Sequence, residues 1–280
     1  MHNDLKIIIV LYNKKVEDIK AINTIVKNGL SENIYIYDNS EDEMDNSSID
    51  LSKFNYIHDK TNPGVVGAYN KYINRFVKDN ESKWILLMDH DTDISDIYIK
   101  DLLQAIKLTP LPKIIAPKLF FNETLISPSK VRFNKSWIDN DLKDIHGCVN
   151  NENITLLNSL LCINIDVFKN GIFFDDKLPL DYSDFDFIER FKLRYNNFYI
   201  LNSSVQHELS SFTSTFNPKD TSVLKRFDVY IKSAKYYSEK SNQRIVLFWA
   251  LIRALKLTIK KKSMFFLKRY FELIFRDING

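Results

Sequence analysis

Two aspartates separated by a single residue are the feature of this sequence most suggestive of chemistry. Asp89 and Asp91 flank His90 directly after the apolar run WILLM (84–88), which has the length and composition of a buried strand. Carboxylates on alternate residues can approach one hard divalent cation, and Mg²⁺ and Mn²⁺ often share oxygen ligands with substrate phosphates. The pair therefore indicates a metal site for a phosphate-containing substrate. The alternative is an acidic loop in which Asp93 caps the next helix.

A second acidic segment, LDYSDFDFIER (180–190), could supply a proton acceptor. Ser183 and Asp186 have the spacing of a capping box, which would start a helix and put Asp184 in its first turn. The helix dipole and a nearby metal would favour the ionised form of Asp184. A carboxylate beside an acceptor hydroxyl can act as a general base. Acidic residues at a helix start also stabilise the helix, which is the alternative for Asp184 and Asp186.

Two further segments could contact a metal or a phosphate. His207 follows a strand-like run at 198–201, and a neutral imidazole there could complete a metal site. The segment from Asn62 to Asn70 contains Gly64 and Gly67, whose spacing could let the backbone approach a phosphate. A structural histidine and close packing of a helix are the respective alternatives.

Strand and helix patterns alternate between these segments. Apolar runs predict strands at 5–11, 34–37, 54–58 and 84–88, with 156–168 as a further core strand and its continuation, and periodicity predicts helices at 16–30, 65–77 and 97–108. The order predicts an α/β fold with helices flanking a mostly parallel sheet. Ligands bind such sheets beyond the carboxyl ends of the strands. Three polar clusters fall at those ends: Tyr12-Asn13, Asp38-Asn39-Ser40 and Asp89-His90-Asp91.

Composition agrees with a globular protein that has a core of ordinary size. The 280 residues are 45% hydrophobic and 27% charged, and the length suits one large domain with an appendage. Cys148 and Cys162 form neither a disulfide framework nor a metal-ligand pair, which favours a reducing compartment. The sequence starts without signal-peptide features and contains no apolar run long enough to span a membrane. We therefore expect a protein on the inner side of a membrane.

The end of the chain is basic and predicted to be helical from residue 223. We place a boundary near Asn217-Pro218, with a catalytic domain at 1–217 and a helical extension at 218–280. Residues 244–276 contain nine Lys and Arg against one Glu, so this segment carries +8 and the rest of the chain −5. Basic residues mixed with aromatic ones predict amphipathic helices on an anionic membrane. Packing on the core and a homodimer interface are the alternatives. A nucleic-acid partner is disfavoured because the charge is confined to one end among bulky apolar residues.

In combination, the motifs resemble inverting glycosyltransferases of family 2, which have the GT-A fold, and within them the bacterial rhamnosyltransferase-like group. The resemblance extends in order over roughly residues 5–210. It rests on VLYN (10–13), YDNS (37–40), NPGVVGAYN (62–70), LLMDHD (86–91), DYSDFD (181–186) with Arg190, and His207. Six motifs in the family's order are together far more specific than any one of them.

The resemblance implies a role for each matching residue. Tyr12 would lie against the nucleobase, Asp38 would form a hydrogen bond with the base, and Asn62, Gly64 and His90 would contact the donor. Asp89 would contact the ribose or the metal, and Asp91 and His207 would ligate Mn²⁺ or Mg²⁺. Asp184 would be the catalytic base. Many members have Glu-Asp where this chain has Ser183-Asp184, and Gln or Asp where it has His90.

The function implied is transfer of a rhamnose-like sugar or another hexose from a nucleotide-diphosphate donor to a hydroxyl. The acceptor would be a growing cell-surface polysaccharide, such as a capsule, or a lipid-linked glycan. The subgroup suggests dTDP-rhamnose, with UDP-sugars, including galactofuranose, as alternatives. The expected location is cytoplasmic, peripheral on the inner face of the cell membrane. A non-catalytic nucleotide-sugar or glycan-binding module on the same fold is the alternative function. A nucleotidyltransferase is disfavoured because its glycine- and arginine-rich phosphate loop is absent after Leu11.

Overall fold

The computed structural model describes residues 4–80, 82–207 and 221–275, which form a mixed α/β structure. Its strands are β1 (Leu5–Leu11), β2 (Ile34–Asp38), β3 (Asn55–His58), β4 (Trp84–Asp89), β5 (Ile114–Phe121), β6 (Thr124–Ser127), β7 (Ser129–Arg132), β8 (Lys135–Trp137), β9 (Gly147–Asn150), β10 (Ile154–Thr155), β11 (Cys162–Asn164) and β12 (Asn197–Gln206). Its α-helices are α1 (Lys20–Lys27), α2 (Gly64–Asp79), α3 (Asp96–Ala105), α4 (Ile165–Lys169), α5 (Ser183–Lys192), α6 (Thr221–Ser241), α7 (Ile245–Lys261) and α8 (Phe265–Phe275).

Nine of the described strands form one sheet, in the order β3-β2-β1-β4-β11-β5-β12-β9, with β6 paired to β5. Six of them, β1 to β5 and β12, run in one direction, whereas β6, β9 and β11 are antiparallel to their neighbours. The sheet is therefore mostly parallel, as predicted. A separate three-stranded sheet has the order β10-β7-β8.

Strand β1 shows why the sheet is covered on both faces. Its sequence LKIIIVL is buried except at Lys6, and alternate residues of a strand point to opposite faces. Ile8 and Val10 join an apolar core with α2, α4 and α5, whereas Ile7 and Ile9 join a second core with α1 and α3. Burial on both faces is typical of parallel strands between helical layers.

The predicted core strand at 156–168 is shorter than expected. Strand β11 occupies only Cys162–Asn164, and α4 follows it at once. The side chain of Asn164 accepts a hydrogen bond of 3.1 Å from the backbone N–H of Asp166. This contact caps the helix and ends the strand, because an Asn side chain satisfies one of the free N–H groups at a helix start.

The basic end of the chain is helical, as predicted, and packs on the α/β core. Helices α6, α7 and α8 form an apolar cluster that also includes Leu178 and Phe185 from the core. Arg226 of α6 forms an ion pair with Asp181, and Lys240 lies 2.6 Å from Asp186. The predicted boundary at Asn217-Pro218 lies outside the described residues. Among the described residues, none of the helices is both long and apolar enough to cross a membrane.

Candidate active site

The three polar clusters predicted at strand ends meet at one edge of the sheet. β1 pairs in parallel with both β2 and β4, with Leu11 opposite Asp38 and Val10 opposite Asp89. The segments that follow these three strands therefore lie next to one another. The backbone N–H of Asn13 donates a 2.8 Å hydrogen bond to the Ser40 hydroxyl, which links the first two clusters.

Asp38 is fully buried, and both of its carboxylate oxygens are bonded within the protein. One oxygen accepts from the backbone N–H and the hydroxyl of Ser40, at 2.9 and 2.5 Å, and the other accepts from the Tyr56 hydroxyl at 2.8 Å. The Ser40 carbonyl in turn lies 3.0 Å from Nε2 of His58. Asp38 thus shapes the loop after β2. Hydrogen bonding of a nucleobase by Asp38 stays a prediction, as does stacking by Tyr12, whose ring is 45% exposed.

Both glycines of the 62–70 segment lie against prolines. Gly64 has φ +79°, and a Cβ there would lie 2.8 Å from the Cβ and carbonyl oxygen of Pro179. A Cβ on Gly67 would lie 2.5 Å from the Cβ of Pro63. The Gly64 N–H points back to the Asn62 side chain at 3.3 Å. Packing thus accounts for both glycines, and donor contact by Asn62 and Gly64 stays a prediction.

Asp89, Asp91 and His207 converge on one point. One ligand atom from each lies within 4.8 Å of the other two, and these three residues form a candidate metal site in the described chain. Asp89 and Asp91 follow β4, while His207 follows β12, more than a hundred residues later. The backbone brings them together because Thr92 and His207 form an isolated antiparallel bridge and the His207 N–H donates to the Phe120 carbonyl at 2.8 Å.

A hydrogen-bonded chain orients the His207 ring. Its Nδ1 lies 3.2 Å from the Thr92 hydroxyl, which lies 3.0 Å from the Ser159 hydroxyl, and His207 is only 9% exposed. With Nδ1 engaged, Nε2 is the nitrogen available to a ligand. Metal-binding histidines usually bond a second partner in this way, which fixes the ring and its tautomer. The sequence predicts His207 as a metal ligand, but Thr92 and Ser159 carry no local signal that would identify them as the residues that orient its ring.

The electrostatics of this cluster fit a cation. Oδ1 of Asp91 is buried and lacks a hydrogen-bond partner within the described chain. Burial, and then the charge of Asp91, raise the pKa of Asp89, which also accepts a 3.1 Å hydrogen bond from the Tyr69 hydroxyl. Two carboxylates in a partly buried position repel each other unless a positive charge lies between them. The oxygen-rich donor set suits Mg²⁺ or Mn²⁺.

His90 contacts the neighbouring strand. Its Nδ1 lies 3.2 Å from the carbonyl oxygen of Val10 in the neighbouring strand β1. This contact holds the loop after β4 against β1. Donor contact by His90 therefore depends on the other ring nitrogen and stays a prediction.

Helix α5 begins at the predicted place, but not with the predicted capping box. The residue before it is Tyr182, in the left-handed conformation with φ 64°, and no side chain caps the helix. Ser183 is already helical, and its hydroxyl donates to the Leu180 carbonyl at 2.8 Å. Asp186 instead accepts hydrogen bonds from Arg190. The predicted capping box is wrong, because the Ser183 hydroxyl bonds the Leu180 carbonyl and the Asp186 carboxylate bonds Arg190.

Asp184 lies in the first turn of α5, as predicted, and one of its oxygens accepts a 2.8 Å hydrogen bond from the Phe185 N–H. Burial raises the pKa of Asp184 to about 6, with the Phe185 N–H acting in the opposite direction and Asp181 adding to the rise. Asp184 also lines a cavity of about 390 Å³. A carboxyl with such a pKa is mostly ionised at neutral pH and still a competent base.

A family model matches part of the chain. Residues 6–118 match the model described as "Glycosyl transferase family 2", which supports the resemblance to that family without distinguishing a rhamnosyltransferase-like group. No curated protein matches the chain significantly.

Solved structures with a similar fold are distant in sequence. The mannosyltransferase PcManGT from Pyrobaculum calidifontis, in complex with GDP-Man and Mn²⁺, has a TM-score of 0.50 and 9% identity over 88% of this chain and 69% of its own. TarS 1–349 of S. aureus, in complex with UDP-GlcNAc, has a TM-score of 0.47 and 14% identity over 96% and 81%. In a longer S. aureus TarS structure (TM-score 0.48, 13% identity over 84% of this chain), the chain spans 43% of the length. The chain has the GT-A fold.

Proposed function

We propose that this protein is an inverting, metal-dependent glycosyltransferase that moves a sugar from a nucleotide-diphosphate donor to a hydroxyl of a glycan. The observation that carries the proposal is the convergence of Asp89, Asp91 and His207, two of which lie in the part of the chain, residues 6–118, that matches the family. The raised pKa of Asp184 and the cavity beside it support the same function.

Asp91, His207 and Asp89 are the residues that would hold Mn²⁺ or Mg²⁺. When bound, such an ion neutralises the charge that develops on a leaving nucleoside diphosphate. Thr92 keeps the His207 ring in position through its 3.2 Å contact, and Tyr69 holds Asp89. We propose that Tyr12, Asp38, Asn62, Gly64 and His90 surround the nucleotide at the same sheet edge.

Asp184 would remove the proton from the acceptor hydroxyl as the hydroxyl oxygen attacks the anomeric carbon. The new C–O bond forms opposite the bond to the diphosphate, so the configuration at that carbon is inverted. The proton moves to the Asp184 carboxylate, and the leaving diphosphate keeps the electron pair of the broken bond. Ionised Asp184 is abundant above pH 6, because its pKa is about 6.

The donor nucleotide and sugar are proposed only as a class. UDP-GlcNAc is bound in the TarS structure and GDP-Man in the mannosyltransferase structure. dTDP-rhamnose or a UDP-sugar remains our proposal for this chain, with a cell-surface polysaccharide or lipid-linked glycan as acceptor.

A thermal-shift screen of UDP-, dTDP- and GDP-sugars with Mn²⁺ tests the proposal. The true donor should raise the melting temperature, because a ligand at about 100 times its Kd stabilises a protein by about 2.7 kcal/mol. Slow release of nucleoside diphosphate by hydrolysis, stopped by EDTA, would distinguish an enzyme from the non-catalytic binding module. A screen in which no sugar nucleotide raises the melting temperature would contradict both functions.

We further propose that the extension at 218–280 makes peripheral contact with an anionic membrane on its cytoplasmic side. Apolar side chains of α7 and α8 remain exposed, with Ile259 at 76% and Phe271 at 46%, among several basic residues. Because the extension shares a core with Phe185, point variants test this better than truncation. Ile259→Ser/Phe271→Ser should weaken flotation with phosphatidylglycerol vesicles several-fold, whereas Leu193→Ser, at an equally exposed site outside the extension, should not. Equal flotation of the two variants would contradict membrane contact.

A further inference from the structure

The cavity that contains Asp184 is lined by residues from several separate parts of the chain. The start of α5 contributes Asp184, the turn and strand after β7 contribute Lys135, and α7 contributes Trp249, Arg253 and Lys256. The extension therefore forms part of the wall of the proposed active site. A volume of about 390 Å³ suits a small ligand or one unit of a larger one.

Aromatic rings position two of the cations in this wall. The Lys135 ammonium lies 4.8 Å from the ring centre of Trp137 and 4.6 Å from that of Trp249. The guanidinium of Arg253 lies 4.0 Å from the ring centre of Tyr230. Cations held over aromatic faces in this way keep their charge and can still donate hydrogen bonds to an anion.

A second contact joins the extension to the β7–β8 turn. Trp249 Nε1 donates a 2.9 Å hydrogen bond to the Phe133 carbonyl, and the Trp137 and Trp249 rings lie 6.1 Å apart, edge to face. Lys135 is thus fixed at the junction of two elements that are more than a hundred residues apart in sequence.

The charges in the wall do not balance. Asp181, the other acidic residue in the lining, gives both oxygens to Arg226, and Arg253 is a more distant partner at 3.9 Å. Lys256 is exposed and forms no ion pair with any residue that the structure describes. Lys135, Arg253 and Lys256 therefore outnumber the one remaining carboxylate, Asp184.

We propose that this cavity binds the acceptor, and that the acceptor carries a phosphate or carboxylate next to the hydroxyl that is glycosylated. The proposal rests on the glycosyltransferase function. Lys135, Lys256 and Arg253 hold the anion, and Asp184 receives the hydroxyl. A concave site of this size suits a charged saccharide unit rather than the surface of a membrane. Ile259 and Phe271, which belong to the proposed membrane surface, lie outside the lining of the cavity.

Tryptophan fluorescence of the full chain tests the proposal. The chain has three tryptophans, and Trp249 lines the cavity with Trp137 beside it, while Trp84 is buried in β4 and gives a constant background. The probe is glucose 1-phosphate, with glucose as its neutral counterpart, in EDTA so that the metal-dependent donor site does not contribute. We expect a saturable change with glucose 1-phosphate at least about tenfold tighter than with glucose, because charge-assisted hydrogen bonds to an anion are strong.

Two double variants that each remove two positive charges distinguish binding in the cavity from a general effect of charge. Lys135→Gln/Lys256→Gln should weaken glucose 1-phosphate binding at least about tenfold, and Lys256→Gln alone, which leaves the tryptophan contacts intact, should weaken it about threefold. Lys260→Gln/Lys268→Gln, at exposed sites outside the lining, should bind as the unchanged protein does.

Equal binding by the two double variants, or equal binding of glucose and glucose 1-phosphate, would overturn the proposal. So would a response to phosphatidylglycerol vesicles with none to the soluble sugar phosphate. If instead glucose 1-phosphate binds as expected but no sugar nucleotide is bound or hydrolysed, the glycosyltransferase function fails while the anion site stands.

Discussion

Replacing Asp184 by asparagine is expected to lower the rate of glycosyl transfer by about 10²- to 10⁴-fold, the usual contribution of a general base. Asparagine keeps the shape of the side chain but cannot accept the proton of the acceptor hydroxyl. Donor binding, measured by the thermal shift, should be unchanged. A matched control is Glu189→Gln in the same helix, which removes one negative charge outside the cavity and should retain activity within about twofold.

The raised pKa of Asp184 leads to two further predictions, one for the pH dependence of transfer and one for the melting temperature of the variant. Because its pKa is about 6 in the folded protein, against an ordinary value of 3.8, transfer should fall as the pH drops through 6. The folded state binds this proton more tightly than the unfolded state, so the group costs stability as pH rises from about 4 to 6. Asp184→Asn should therefore melt at the same or a higher temperature at pH 8. A variant that is folded and retains more than a tenth of the transfer rate would exclude Asp184 as the base.

Replacing Asp91 by asparagine should reduce donor turnover at least about 100-fold, since a metal contributes several kcal/mol of charge stabilisation and each 1.36 kcal/mol is a factor of ten. Asp91 has a buried oxygen without a partner in the described chain, which an ion would satisfy. The measurement is release of nucleoside diphosphate from the donor found in the thermal-shift screen. Asp93→Asn, on an exposed residue of the same loop, provides the control and should remain active.

Without metal, the same Asp91→Asn variant should be more stable than the unchanged protein. The substitution removes one of two adjacent negative charges, and the pKa of Asp89 is raised in part by the Asp91 carboxylate. Breaking up a like-charged, partly buried pair relieves repulsion in the folded state. Lower stability of Asp91→Asn in EDTA, with full activity in Mn²⁺, would contradict a metal role for Asp91.

The central strands could be predicted from the sequence because each one is marked by its own run of apolar residues. Runs such as 5–11 and 84–88 are apolar over a strand's length and end in polar residues, and parallel pairing then brings the ends together at one edge. Asp89 and Asp91 could be identified for this reason.

Contacts between distant parts of the chain could not be predicted. The sequence indicated His207 as a metal ligand, but not the backbone bridge between His207 and Thr92, which brings His207 to Asp91 across more than a hundred residues. Gly64 allowed two interpretations until Pro179 was seen against it. Likewise, the composition of the extension left a membrane surface, a dimer interface and packing on the core open, and it gave no sign that Trp249 and Arg253 line the cavity of Asp184. Such contacts leave no periodic or compositional trace in the sequence.

Electron paramagnetic resonance of Mn²⁺ tests the account most directly, because the free ion gives a strong signal that is lost on binding. With the full chain, UDP, dTDP or GDP should tighten Mn²⁺ binding at least about tenfold, since substrate phosphates share the ion's coordination with protein carboxylates. Asp91→Asn should remove this effect and Asp93→Asn should preserve it. Mn²⁺ binding that none of the three nucleotides changes, or that is the same in Asp91→Asn, would contradict a metal-bound diphosphate at Asp91.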